Sequence, residues 1–118
     1  MNIHVVGCGG VASYAVPVLA KLIQYRSGGG SLTLQDKDVL EERNLERQQF
    51  GQRSVGLGKA QAMSQGLRPV RATVLDSWFT MGADVPDNTI IFSFVDNHRA
   101  RRAILDAVDR GENVCAIV

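Results

Sequence analysis

Apolar residues recur along this chain in two alternating periods. Asn2 to Val6 is a short β-branched run that ends at a glycine, which predicts a buried strand. From there Val11, Ala15, Val18, Leu19, Leu22 and Ile23 recur at helical spacing and predict a helix with that face buried. Pro17 falls beyond the helix's first turn, where it costs up to roughly 3 kcal/mol or produces a kink. Ser27-Gly28-Gly29-Gly30 predicts a loop, and Ser31 to Gln35 a second strand closed by Asp36-Lys37-Asp38. Residues 41–53 are polar without a clear period and predict a short helical arm followed by loop. A helix is expected from near Gly58 to about Gln65, and an alternating strand from Val70 to Leu75. Thr89 to Val95 is a continuous apolar run of the parallel-sheet kind. The next helix carries Ala100, Ala103, Ile104, Ala107 and Val108 on one face and arginines on the other. A last apolar strand follows from Asn113 to Val118.

Strands alternating with helices predict an α/β fold, a doubly wound Rossmann-like sheet that is mostly parallel, with strand order 3-2-1-4-5. At 118 residues the chain has room for one domain. Its 45% hydrophobic and 21% charged content is that of a globular protein. The formal net charge of +1 gives no bulk attraction to nucleic acid or membrane. Two cysteines, Cys8 and Cys115, lie far apart in apolar surroundings, which suits a reducing compartment and supplies no zinc pattern. With no signal-peptide pattern and no run long enough to span a bilayer, a cytoplasmic location is the default expectation.

The candidate chemistry begins at Gly7-Cys8-Gly9-Gly10-Val11-Ala12, between the first strand and the first helix. The run fits G-x-G-x-x-G/A: Gly7 permits a tight turn, Gly9 lets backbone N–H groups approach a phosphate, and Ala12 lets helix and strand pack closely. The helix's positive end then favours the anion. Asp36, at the end of the second strand, is placed to accept hydrogen bonds from a ribose diol. NAD and ATP both carry such a ribose, so neither feature chooses between them.

The polar arm from Asp36 to Gln48 makes that choice. It presents Asn44, Arg47 and Gln48 where a dehydrogenase continues into an ordinary crossover helix, and Gly56-Leu57-Gly58-Lys59 follows. Fixed cations near a glycine loop suit a triphosphate whose pyrophosphate must leave, and so predict a cationic pocket. These blocks, in order, are Gly7-Cys8-Gly9-Gly10, the thirteen residues Asp36 to Gln48, Val55-Gly56-Leu57-Gly58-Lys59, and Asp96-Asn97 with Arg101. Together they resemble the ThiF/HesA/MoeB family, which includes the ubiquitin-activating enzymes, along essentially the whole chain.

The resemblance implies ATP-dependent adenylation of a carboxylate, with the C-terminus of a ubiquitin-like or sulfur-carrier protein as substrate, Mg²⁺ as cofactor ion and a homodimer as the assembly. Residue by residue, it implies that Gly7, Gly9 and Gly10 shape the phosphate loop and that Asp36, with Asp38 beside it, holds the ribose. Asn44, Arg47, Gln48 and Lys59 would face the phosphates, with Arg47 and Lys59 carrying the catalytic charge. Asp96 would bind or organise the metal, with Asn97 beside the nucleotide. Against these stand plainer readings: Lys59 as a solvated lysine, Arg47 in a surface ion pair, and Asp96 as the N-cap of the next helix. The chain ends on a strand with nothing to cover it, which reads as a fragment lacking the family's carrier-docking half and as prone to association. A catalytically silent scaffold and, less well supported, an NAD-dependent oxidoreductase are the competing readings.

Other residues have structural explanations. Cys8 and Cys115 are read as packing residues, and His4 as a hydrogen-bonded residue at the core's edge. Arg99, Arg101 and Arg102 form a basic face, with Arg101 in an ion pair. Trp78 and Phe79 either cover the sheet or face a partner.

Overall fold

The computed structural model describes residues 1–26, 29–46 and 55–118, with only the backbone at Glu46. Five strands form one parallel sheet in the order β3-β2-β1-β4-β5, as the alternation of strands and helices predicts. They are β1 (Asn2–Val6), β2 (Ser31–Gln35), β3 (Thr73–Leu75), β4 (Thr89–Ser93) and β5 (Val114–Ile117). Helices α1 (Gly10–Tyr25) and α2 (Lys59–Gln65) pack with Ile3, Val5, Leu32 and Leu34 in one core. Helix α3 (His98–Arg110) and Phe79 pack with Val6 and Ile91 in the other. Neighbouring residues of a strand point to opposite faces, so β1 contributes to both cores and sits at the centre. No described helix is long and apolar enough to cross a membrane.

Helix α1 buries a different face from the one its apolar spacing predicts. Ala12, Ser13, Val16, Leu19, Ala20 and Ile23 are buried. Leu19 and Ile23 belong to both sets, but Val11, Val18 and Leu22 are 71%, 59% and 56% exposed. Apolar residues occur on both sides of this helix, so periodicity alone could not orient it. The glycine loop leads from β1 into α1, and the small residues Ala12 and Ala20 lie on the helix's buried side, in the core shared with β1 and β2. The helix runs through Pro17 as a single element.

The strands are shorter than their apolar runs. β3 begins at Thr73, because the Val70 N–H is taken up in a turn by the Leu67 carbonyl at 3.0 Å and β2 offers pairing only for Thr33–Gln35. β4 ends at Ser93, and Phe94 and Val95 then close over the glycine loop. β5 is correspondingly Val114–Ile117. Both strands follow a left-handed asparagine, Asn88 at φ 59° and Asn113 at φ 55°, whose side chains join at 2.8 Å. Asparagine tolerates that conformation better than most residues. The polar arm is a 3-10 turn at Glu42–Glu46 where it is described. Ser27, Gly28, Arg47 and Gln48, and with them the rest of the arm's expected loop, lie outside the described residues.

Candidate functional site

The strand order reverses at β1, so the connections leaving β1 and β4 diverge and open a crevice at their carboxyl ends. A cleft of about 500 Å³ lies there. Val6, Gly7 and Gly9 line it from β1 and the glycine loop, Gln35, Asp36 and Asp38 from the end of β2. Lys59 joins them from α2, Ser77–Thr80 from the segment after β3, and Phe94–Asn97 with Arg99 from the end of β4 and the start of α3. That volume lies in the range of small-ligand sites.

Gly7 has two reasons to be glycine. Its φ is +93°, and a Cβ would stand 3.1 Å from both the Phe94 carbonyl carbon and Val95 Cγ1. Strand β4 therefore sets the shape of the loop as much as the loop does. Gly10, in contrast, has open space where a Cβ would be. Gly9 occupies the N-cap of α1 without a side-chain cap, and the first turn holds no acidic residue. The first backbone N–H groups of the helix are therefore not capped by a Gly9 side chain.

Asp36 is buried and organises this loop. Its Oδ2 accepts the Cys8 N–H at 2.7 Å and its Oδ1 accepts the Asp38 N–H at 2.8 Å. An ionised carboxylate has about four acceptor positions, so two backbone donors leave capacity for a diol. Lys59 begins α2, and its N–H donates to the Asp38 carbonyl at 2.8 Å. Its Nζ lies 3.7 Å from Asp38 Oδ2 with the side chain only 13% exposed, so it is not the solvated lysine of the plainer reading.

Asp96 does not cap α3. Asn97 does, accepting the Ala100 N–H at 2.8 Å, while Asp96 is fully exposed and 3.7 Å from Arg101. The ion pair expected of Arg101 is present, and Asp96 remains turned toward solvent at the cleft's rim. Asn44 is not among the cleft-lining residues: its Oδ1 accepts the Glu41 N–H at 2.8 Å within the 3-10 turn. Gly10, the first residue of α1, is not among the cleft-lining residues. Arg47 and Gln48 fall outside the described residues.

The described lining carries three carboxylates, Asp36, Asp38 and Asp96, against two cations, Lys59 and Arg99. The cationic pocket expected from the sequence is therefore not formed by these residues alone. Among the described residues no three His, Cys, Asp or Glu side chains gather into a metal cluster. A divalent ion held by one or two carboxylates and the ligand's own oxygens is an arrangement ordinary for Mg²⁺.

Sequence reasoning missed Gln35, Arg99 and the Ser77–Thr80 wall. Only the aromatic pair Trp78-Phe79 signalled that wall, and its two members separate: Phe79 is buried against the sheet, whereas Trp78 is 56% exposed and lines the cleft. Cys8 is fully buried, and that burial, with a smaller push from the Asp36 carboxylate, raises its thiol to about 12. It is inert packing, as its place in the loop implied. Cys115 is exposed on β5 rather than packed.

Comparison with known proteins agrees with this architecture. The chain is 34% identical over 122 aligned residues to the tRNA threonylcarbamoyladenosine dehydratase of Escherichia coli K12, covering 99% of this chain and 40% of the relative. The crystal structure of the E. coli dehydratase TcdA with AMP superposes with a TM-score of 0.74 at 30% identity, covering 98% of this chain and 49% of that one. A structure of the microcin C7 biosynthetic enzyme MccB with N-formylated MccA gives a TM-score of 0.55 at 26% identity, over 77% of this chain and 28% of that one. The chain thus spans about half the length of the dehydratases it matches. The ThiF family model covers residues 1–114, and with the glycine loop, Asp36, Lys59 and Asp96 placed around one cleft, the chain belongs to the ThiF family.

Proposed function

We propose that this chain forms the ATP-binding half of an enzyme that adenylates a carboxylate. The observation that carries the reading is the cleft at the sheet's switch point, where Asp36 pins the glycine loop and Lys59 is held at the wall. TcdA has been solved with AMP and with ATP, which supports a nucleotide as the ligand.

In this reading Gly9 and the first turn of α1 receive the phosphates, and Asp36, flanked by Asp38, receives the ribose. Lys59 exchanges Asp38 for a phosphate oxygen, joined by Arg47, Gln48 and Asn44 from the arm. Asp96 would hold Mg²⁺, whose charge neutralises the departing pyrophosphate, and Asn97 borders the nucleotide. A carboxylate oxygen attacks the α-phosphorus while the bond to the bridging oxygen of the β-phosphate breaks. The products are an acyl-adenylate and pyrophosphate. Positioning and charge neutralisation supply the rate, so no protein nucleophile is required.

The relative named for threonylcarbamoyladenosine favours a substrate whose carboxylate is the threonyl group of a tRNA nucleoside. MccB, solved with N-formylated MccA, supports a peptide or protein carboxylate as the second reading, and the C-terminus of a small ubiquitin-like or sulfur-carrier protein is the candidate we carry for it. A cytoplasmic homodimer belongs to the same proposal. The test is ATP–pyrophosphate exchange by the whole protein, with threonylcarbamoyladenosine-bearing tRNA in one arm and a carrier protein in the other. Exchange dependent on the tRNA supports the first substrate, and on the carrier the second. ATP binding with no exchange in either arm would leave a silent scaffold, and binding of NADH in preference to ATP would overturn the reading altogether.

A further inference from the structure

Beside the cleft, three polar side chains from three separate segments form a chain of hydrogen bonds. His4 of β1 lies 2.8 Å from Gln35 Oε1 through its Nε2, and Gln35 Nε2 donates to Ser77 Oγ at 3.1 Å. With the amide nitrogen directed at Ser77, the amide oxygen can only accept, so the His4 nitrogen facing it carries the proton. His4 and Gln35 are both buried. The His4 ring also meets Phe79 edge to face, with centroids 5.6 Å apart and planes at 88°.

Residues 76–88 contain no helix or strand, so no ladder of backbone hydrogen bonds holds them. Two side-chain tethers fix the start of this segment instead: Ser77 through Gln35, and Phe79 against His4 and the core. Between them Trp78 faces the cleft. The order of the strands gives the segment a place in the ligand site. Phosphates at the end of β1 and a ribose at Asp36, just past β2, direct the base toward the neighbouring strand, β3, whose exit is this segment.

We propose that Gln35 is a positioning residue for the nucleotide, linking His4 to Ser77 so that Ser77–Thr80 stand as a preformed wall for the nucleoside end. The inference rests on the ATP reading above. Gln35 transfers no proton and touches no reacting atom; it removes the cost of ordering the wall when ligand arrives.

Trp78 is the single tryptophan of the chain, so its fluorescence reports on the wall directly. Ser77→Ala and Gln35→Leu are each expected to increase acrylamide quenching of Trp78 in the ligand-free chain. They should weaken ATP binding about fivefold or more, the worth of one lost neutral hydrogen bond, while leaving inorganic tripolyphosphate binding unchanged. Ser77→Thr keeps the hydroxyl and is expected to restore both properties. Because Ser77 is exposed, its variants remain informative even where Gln35→Leu does not fold. Unchanged quenching and ATP affinity in Ser77→Ala overturn the positioning role alone. Equal loss of ATP and tripolyphosphate binding overturns it too, since the defect then lies at the phosphates. A wild-type chain that binds no ATP removes the ATP reading, and this inference with it.

Discussion

Asp36 Oδ2 accepts the backbone N–H of Cys8 at 2.7 Å, which joins the end of β2 to the middle of the glycine loop. The residue proposed to hold the ribose is therefore also the residue that shapes the glycine turn. Asp36→Ala should destabilise the fold by about 1.5–3 kcal/mol, the range for a lost hydrogen bond to a charged group, and abolish ATP binding. Asp36→Asn, with one acceptor oxygen instead of two, should fall between. Denaturant melts and ATP titration of the two variants check the ordering.

Gly7 and Gly10 should respond differently to the same added methyl group. Gly7→Ala meets a positive φ, the Phe94 backbone and the Val95 side chain, and should cost about 2 kcal/mol or more of stability. Gly10→Ala enters open space and replaces glycine at a helix start, so its stability should hold or rise. If phosphates approach this turn, ATP affinity should fall in Gly10→Ala nonetheless. Thermal melts paired with binding isotherms separate the two effects.

Lys59→Ala in the whole protein should lower the ATP–pyrophosphate exchange rate by at least about tenfold, roughly 1.4 kcal/mol of transition-state stabilisation. Arg47→Ala is expected to do the same if the arm supplies the charge that the described cleft lacks. Exchange rates equal to wild type in both variants would sink the phosphate assignment.

Burial holds the His4 imidazole below its ordinary value, with the Gln35 hydrogen bond opposing in part. The unfolded chain takes up a proton near pH 6.5, while the folded chain resists it until lower pH. Stability should accordingly be constant with respect to this group above that pH and decline as pH falls below it. His4→Gln, which can still donate to Gln35, should show a shallower decline between pH 7.5 and 5 in denaturant melts.

The two thiols should differ in reactivity. With Cys8 raised to about 12 and fully buried, iodoacetamide at neutral pH should label exposed Cys115 and leave Cys8 unmodified until the chain unfolds. Peptide mapping of the labelled protein reads this directly. Early labelling of Cys8 would mean that the glycine loop opens.

Much of the site could be read along the chain because its determinants are local. Gly7 must adopt a turn, Asp36 ends a strand, and Lys59 opens a helix whatever the rest of the molecule does. The strand order followed from the alternation of strands and helices. Residues whose role depends on packing could not be read this way. Val11, Val18 and Leu22 have the same helical spacing as Leu19 and Ile23, yet they are exposed, because α1 turns the side carrying Ala12, Val16 and Ala20 into the core instead. Phe94 and Val95 continue an apolar run but leave β4 to close on Gly7. Asn97, rather than Asp96, caps α3, since a cap is chosen by where the backbone turns and not by which side chain is the better acceptor.

The sequence by itself determined the α/β plan, the glycine loop and the family, because each depends on residue type at short, fixed spacing. Only the tertiary structure decided which helix face is buried, which acid is left at the rim, and that His4, Gln35 and Ser77 meet. Those three residues lie on β1, β2 and the segment after β3, and contacts between distant segments exist only once the sheet has set its register.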